Sequence, residues 1–154
     1  MKSIFVYVSY IRTSPAKLWD ALTTPESIKR YWAENLNFKS DWKVGSPWTV
    51  SFLDGQLCDA GEILEADPPK RLVIKWRNEW NPEMKAEGFS RCTFQLEPAD
   101  GAVKLTLTHG IDVSNSKFIE AASAGWPIVL SNLKSLLETG EVVLKANAAH
   151  QDGG

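Results

Sequence analysis

Several segments of this chain alternate apolar and polar residues with period two, and a single long stripe of period 3.6 follows them. Trp48, Val50 and Phe52 alternate with Thr49 and Ser51, and Leu72, Ile74 and Trp76 are followed by the same rhythm at Lys75 and Arg77. Cys92, Phe94 and Leu96 interleave with Arg91, Thr93 and Gln95, and Val103, Leu105 and Leu107 with Lys104, Thr106 and Thr108. Neighbouring side chains on a strand point to opposite faces, so each segment predicts a strand with one dry and one wet side. Asp54-Gly55 and Asp100-Gly101 are hairpin turns, which makes the sheet antiparallel. The dry face needs a cover, and Trp126, Val129, Leu130, Leu133, Leu136 and Leu137 supply it at helical spacing. That helix is expected to start at Pro127 and stop at Gly140.

Upstream, Ile4 to Ile11 reads as a strand rich in β-branched and aromatic residues. Ser14-Pro15 and Thr24-Pro25 each pair an N-cap with proline at the first helical position. They open two short helices, one reaching about Leu22 and one ending before Asn35. Leu57 to Glu65 is the return strand of the first hairpin, closed by Asp67-Pro68-Pro69. Glu34 to Gly45 contains Phe38 and Trp42 but no assignable pattern. Glu79 to Gly88, with Asn81-Pro82 inside it, reads as a surface loop able to gate a pocket. The 154 residues suit one α+β domain over 2–144, with a frayed tail over 145–154.

The formal net charge is −2 and no basic stripe appears, so no nucleic-acid partner is expected. No apolar run approaches the ~18–20 residues of a membrane span. The N-terminus is too short and alternating for a signal peptide, and a cytoplasmic location is expected. Cys58 and Cys92 read as small buried side chains, with a spatial pairing left open. Phosphate loops, nucleophile elbows, dinucleotide fingerprints and zinc-ligand spacings are absent from the sequence, so neither cofactor nor metal is expected.

The order of strand, two short helices, antiparallel strands and long helix resembles the helix-grip fold of the START and birch-pollen-allergen (SRPBCC) superfamily. Within it, the chain is most similar to homologues of the activator of the heat-shock protein 90 ATPase. The likeness rests on four stretches: Ser14 to Thr23 with the Pro25–Trp32 helix behind it, Gly61 to Leu72, Leu105 to His109, and Gly125-Trp126-Pro127. It spans about Lys2 to Leu144. It implies a curved sheet wrapped around the C-terminal helix, a cavity for apolar ligands between them, and in some members a chaperone-binding surface.

With that fold, the inward-facing aromatics become candidate walls of a ligand cavity: Trp32, Trp48, Phe52, Trp76, Trp80, Phe94 and Trp126, with Leu130 beside them. The same residues would also fill an ordinary core. Asn78, Glu62 and Arg77 are candidate polar groups at the cavity mouth, with Arg77 and Glu79 otherwise forming a solvated face. His109 shares parity with Leu107. It is a candidate to hold a ligand carbonyl or move a proton, or else a strand-end histidine satisfied by backbone or by Asp112. Three functions follow as expectations: a carrier or sensor of a small apolar or aromatic molecule, a domain that stimulates a heat-shock protein 90 type ATPase, or a cyclase- or dehydratase-like enzyme. The state is expected to be monomer or dimer.

Overall fold

In the computed structural model, which describes residues 1–145, the chain runs β1 (Ser3–Ile11), α1 (Pro15–Thr23), α2 (Pro25–Tyr31), β2 (Leu36–Ser40), β3 (Pro47–Phe52), β4 (Leu57–Asp67), β5 (Arg71–Asn78), α3 (Pro82–Ala86), β6 (Ser90–Ala99), β7 (Ala102–Ile111) and α4 (Lys117–Thr139). The strands form one antiparallel sheet in the order β1-β7-β6-β5-β4-β3-β2. α4 covers its dry face, and α1 and α2 close one end. The expected tail lies largely outside the described residues. None of the helices described is long and apolar enough to cross a membrane.

Local chemistry explains most boundaries. Ser14 Oγ accepts from the Lys17 N–H at 3.2 Å, capping α1. Tyr31 donates from its hydroxyl to the Ala21 carbonyl at 3.1 Å, locking α2 onto α1. Asn132, buried on α4, donates to the Tyr31 and Leu144 carbonyls and accepts from the Val143 and Leu144 N–H groups. One side chain thus ties the helix to α2 and to the segment that follows it.

Three expectations are corrected. α4 begins at Lys117, well before Pro127, and Pro127 lies inside it. Its start is set by Ser116, whose Oγ accepts from the Ile119 N–H at 3.0 Å, and by Glu87, which accepts from Ser116 Oγ at 2.5 Å and the Lys117 N–H at 2.8 Å. A carboxylate at a helix N-terminus satisfies free N–H groups and opposes the dipole. The stretch expected to be a loop contains α3, capped by Asn81, which accepts from the Glu83 and Met84 N–H groups. Finally, the unassigned stretch holds β2, a five-residue strand with Leu36 and Phe38 buried and Asn37 exposed.

Gly61 is the position on which the interior closes. It pairs with Trp48 on one side and Trp76 on the other. A Cβ there would fall 1.6 Å from the Lys75 carbonyl oxygen. With no side chain between them, the two rings approach to 4.6 Å between centroids. Gly61→Ala is therefore expected to destabilise the protein by about 4 kcal/mol or more in denaturant unfolding. Glu87→Ala, which uncaps α4, is expected to cost about 1–2 kcal/mol.

Candidate functional site

Between sheet and α4 lies an apolar cavity walled by Trp32, Trp48, Trp76, Phe94, Trp126 and Leu130, with Leu22, Ile28, Tyr31, Phe38, Trp42, Ile74 and Val129 completing it. The tryptophans converge: Trp32 to Trp126 is 4.9 Å, Trp32 to Trp76 5.7 Å, and Trp76 to Trp126 5.8 Å between ring centroids. Its free volume is about 20 Å³, with a neighbouring void of about 10 Å³ bounded by His109, Phe118 and Gly125. That is room for about one water molecule each. The aromatic rings themselves fill most of the space between the sheet and α4.

His109 is fully buried beside this wall, and its protonation follows from its partners. The Trp126 indole N–H can only donate, and it reaches His109 Nδ1 at 3.0 Å. Nδ1 is therefore the bare nitrogen and Nε2 carries the proton. Nε2 lies 2.9 Å from Ser90 Oγ, which in turn donates to the Trp76 carbonyl at 2.8 Å. Every group in the chain from Trp126 to Trp76 is satisfied with the imidazole neutral. Burial agrees, pushing the His109 pKa down to about 3.

Other buried polar groups lack such closure. The Trp42 and Trp76 indole N–H groups, Asp59 Oδ1 and Asn35 Oδ1 find no hydrogen-bond partner in the protein. Asp59 sits opposite Val50 and Asn78 on the inward side of β4. Burial raises its carboxyl to about 7, against the pull of the Trp76 indole and the Cys58 thiol. The Trp76 N–H lies near this carboxyl but outside hydrogen-bonding geometry, so the two are neighbours and not a bonded pair. Cys58 and Cys92 are buried free thiols, each pushed up by burial. Trp42, on the turn between β2 and β3, has φ 57, a left-handed backbone that bulky residues rarely adopt. The turn is held by Ser46 Oγ, which accepts from the Lys43 N–H at 3.1 Å, and by Ser40 Oγ, which accepts from the Trp42 N–H at 3.0 Å.

Of the residues singled out from sequence, Trp32, Trp48, Trp76, Phe94, Trp126 and Leu130 meet on the cavity wall, and His109 bounds the neighbouring void. Phe52, Asn78 and Trp80 are not on it. β5 ends at Asn78, whose Oδ1 accepts from the Trp80 and Asn81 N–H groups and turns the chain away. Parity beyond that turn means nothing, and Trp80, 48% exposed, packs on Phe52 at 4.8 Å. Glu62 faces outward near Lys75, and Arg77 pairs with Glu79, which also holds Lys85. Sequence reasoning missed Trp42 and Asp59. Trp42 lies in a stretch without periodicity, and Asp59 reads as one more polar residue of a strand.

Asp59 and His109 affect stability in opposite senses. A carboxyl raised to about 7 keeps a proton in the folded state that the unfolded chain loses near 4, so stability falls as pH rises from about 4 to about 7. An imidazole lowered to about 3 stays neutral while the unfolded chain protonates, so stability is lost as pH falls through 6.5 toward 3. Where the windows overlap the two slopes cancel. Denaturant melts across pH 4–6.5 are expected to be nearly flat for the natural chain as far as these two groups are concerned. Asp59→Asn should tilt them upward with pH and His109→Gln downward; parallel profiles for all three proteins would contradict both assignments.

The sequence profile of the family described as Activator of Hsp90 ATPase homolog 1-like protein matches residues 12–138. No curated protein sequence matches the chain. Among solved structures, a protein from Mesorhizobium loti is 26% identical with a TM-score of 0.75, over 91% of this chain and 100% of that one. The Aha1 dimer from Colwellia psychrerythraea is 22% identical with a TM-score of 0.73, over 90% and 98%. An HSP90 activator from Plasmodium falciparum is 24% identical with a TM-score of 0.70, over 88% and 96%. With a seven-stranded antiparallel sheet gripping a long C-terminal helix and a family match over most of its length, this chain belongs to the Activator of Hsp90 ATPase homolog 1-like family.

Proposed function

We propose that this protein binds a small, largely apolar molecule carrying a hydrogen-bond acceptor, between the sheet and α4. The observation that carries the reading is the pair of indole N–H groups, of Trp42 and Trp76, left without acceptors in the walls of an aromatic cavity. Buried donors are almost always paired, and an orphan costs about 1–3 kcal/mol. A ligand with an acceptor would satisfy what the closed protein does not. The free volume of about 20 Å³ requires the site to open first. Trp42, on its strained turn, and Trp32, at the C-terminal end of α2, are the wall residues whose swing would open it. Apolar burial at about 25 cal/mol per Å² drives the binding, and the N–H groups orient the ligand. His109, neutral and bonded at both nitrogens, acts as a structural part of the wall rather than as an acid or base.

A second reading has its own support. The family is described by activation of the Hsp90 ATPase, and a relative of similar fold carries that description. On that reading the closed interior is a core, and a chaperone engages the outer surface.

Native mass spectrometry of freshly purified protein, with titration of 8-anilinonaphthalene-1-sulfonate followed by tryptophan fluorescence, separates the two. Ligand binding predicts a co-purifying mass or a saturable quench, weakened roughly 3–10-fold by Trp42→Phe, which keeps the ring and deletes the N–H. An empty protein that leaves the probe unbound ends the ligand reading. Stimulation of a purified Hsp90 ATPase would then carry the second.

A further inference from the structure

Asp59, on the inward face of β4 and 2% exposed, is the only buried carboxyl among the described residues. A carboxylate taken out of water normally has a cation beside it, because the charged form loses its hydration. Asp59 has none. The ion pairs among the described residues join Glu62, Glu65, Glu79 and Glu138 to Lys or Arg side chains and leave it out. β3 and β5 set the uncharged Val50 and Asn78 across from it, and the charge that reaches it is that of Glu79, of its own sign. Its Oδ1 accepts no hydrogen bond from the protein. The same side chain borders the aromatic wall. Gly61, the next inward position on β4, carries no side chain, and the Trp48 and Trp76 rings meet across it. The Trp76 indole lies beside the carboxyl and also lines the cavity.

We infer that the molecule bound between sheet and α4 is a cationic amine, its ammonium paired with Asp59 and its apolar body enclosed by the tryptophans, an inference that rests on ligand binding there and names the class of ligand. An ammonium supplies both the opposite charge and the donor that Asp59 Oδ1 lacks. Aromatic faces attract cations, because the electron density above the ring is negative. Trp32, Trp48, Trp76 and Trp126 offer such faces around one hollow. An anionic ligand would meet Asp59 and Glu79 with its own sign, and a neutral one would leave the carboxyl without its counter-charge. The Trp42 and Trp76 N–H groups then fall to an oxygen elsewhere on the same molecule. Burial raises the Asp59 carboxyl to about 7, so below that pH the bound proton leaves to solvent as the ion pair forms.

Isothermal titration calorimetry with para-methoxyphenethylamine and its neutral counterpart, para-methoxyphenethyl alcohol, separates the charge from the body. The natural protein is expected to bind the amine about 10–100-fold more tightly, the effect of one charge-assisted hydrogen bond. Asp59→Asn keeps the shape and removes the charge, and should level the two affinities by weakening the amine alone. An alcohol bound as tightly as the amine by the natural protein overturns the inference and leaves the interior site standing. An amine preference that survives Asp59→Asn does the same. If neither molecule binds at millimolar concentration, ligand binding itself falls, and the inference with it. Carbon NMR of the aspartate-labelled natural protein at pH 6 needs no variant. The amine should move one carboxyl resonance from the neutral to the ionised position, and the alcohol should not. A resonance that stays neutral with the amine bound overturns the inference.

Discussion

Trp48 and Trp76 meet across Gly61, and the position of everything inside the sheet follows from that contact. A side chain at Gly61 would strike the backbone of β5, so the strands lie close and the two indoles share one hollow. Trp76 then offers its face to Trp126 and Trp32, which fixes how deeply α4 and α2 can settle. The bond from Trp126 to His109 adds direction to what would otherwise be a greasy fit. Apolar packing determines that the helix lies on the sheet; the Trp126–His109 bond, with those of Ser116 to Glu87, Asn132 to Tyr31 and Lys134 to Tyr10, determines where along it.

The interior is unusual in how unevenly its polar groups are served. Around His109 each donor has an acceptor, and the arrangement holds one tautomer. A short distance away, Asp59, Trp76 and Trp42 are buried with atoms unpaired. Completed networks make a core specific, while incomplete ones mark places where strain or a missing partner resides. The same wall therefore contains a half whose polar groups are paired, anchored through Trp126, and a half whose polar groups are not.

The fold was legible where a pattern repeated and illegible where a tertiary contact decided. Alternation revealed the strands around Trp48, Trp76, Phe94 and Leu107, and two hairpin glycines revealed that they pair antiparallel. β2 escaped because five residues with only two apolar side chains, Leu36 and Phe38, carry too little period to detect. The start of α4 was misplaced because proline is a good first-turn residue, and because Glu87, distant in sequence, supplies the cap that lets the helix begin at Lys117. In the site, parity identified Trp48 and Trp76 but failed at Trp80, where Asn78 ends the strand by hydrogen-bonding two backbone N–H groups ahead of it. Trp42 announced itself only through its backbone angle, which no composition displays.

Pro127 has a consequence for how α4 moves. It removes one backbone donor, leaving the Ser123 carbonyl without its usual helical partner, and Gly125, beside it, has open space where a side chain would pack. Above this weak turn the helix is moored through Ser116 to Glu87, and below it through Asn132 to α2 and the chain beyond. One helix by shape is thus two by mooring, jointed directly over the aromatic hollow. Its halves can breathe on separate clocks, and the amide protons on either side of the joint would record different ones.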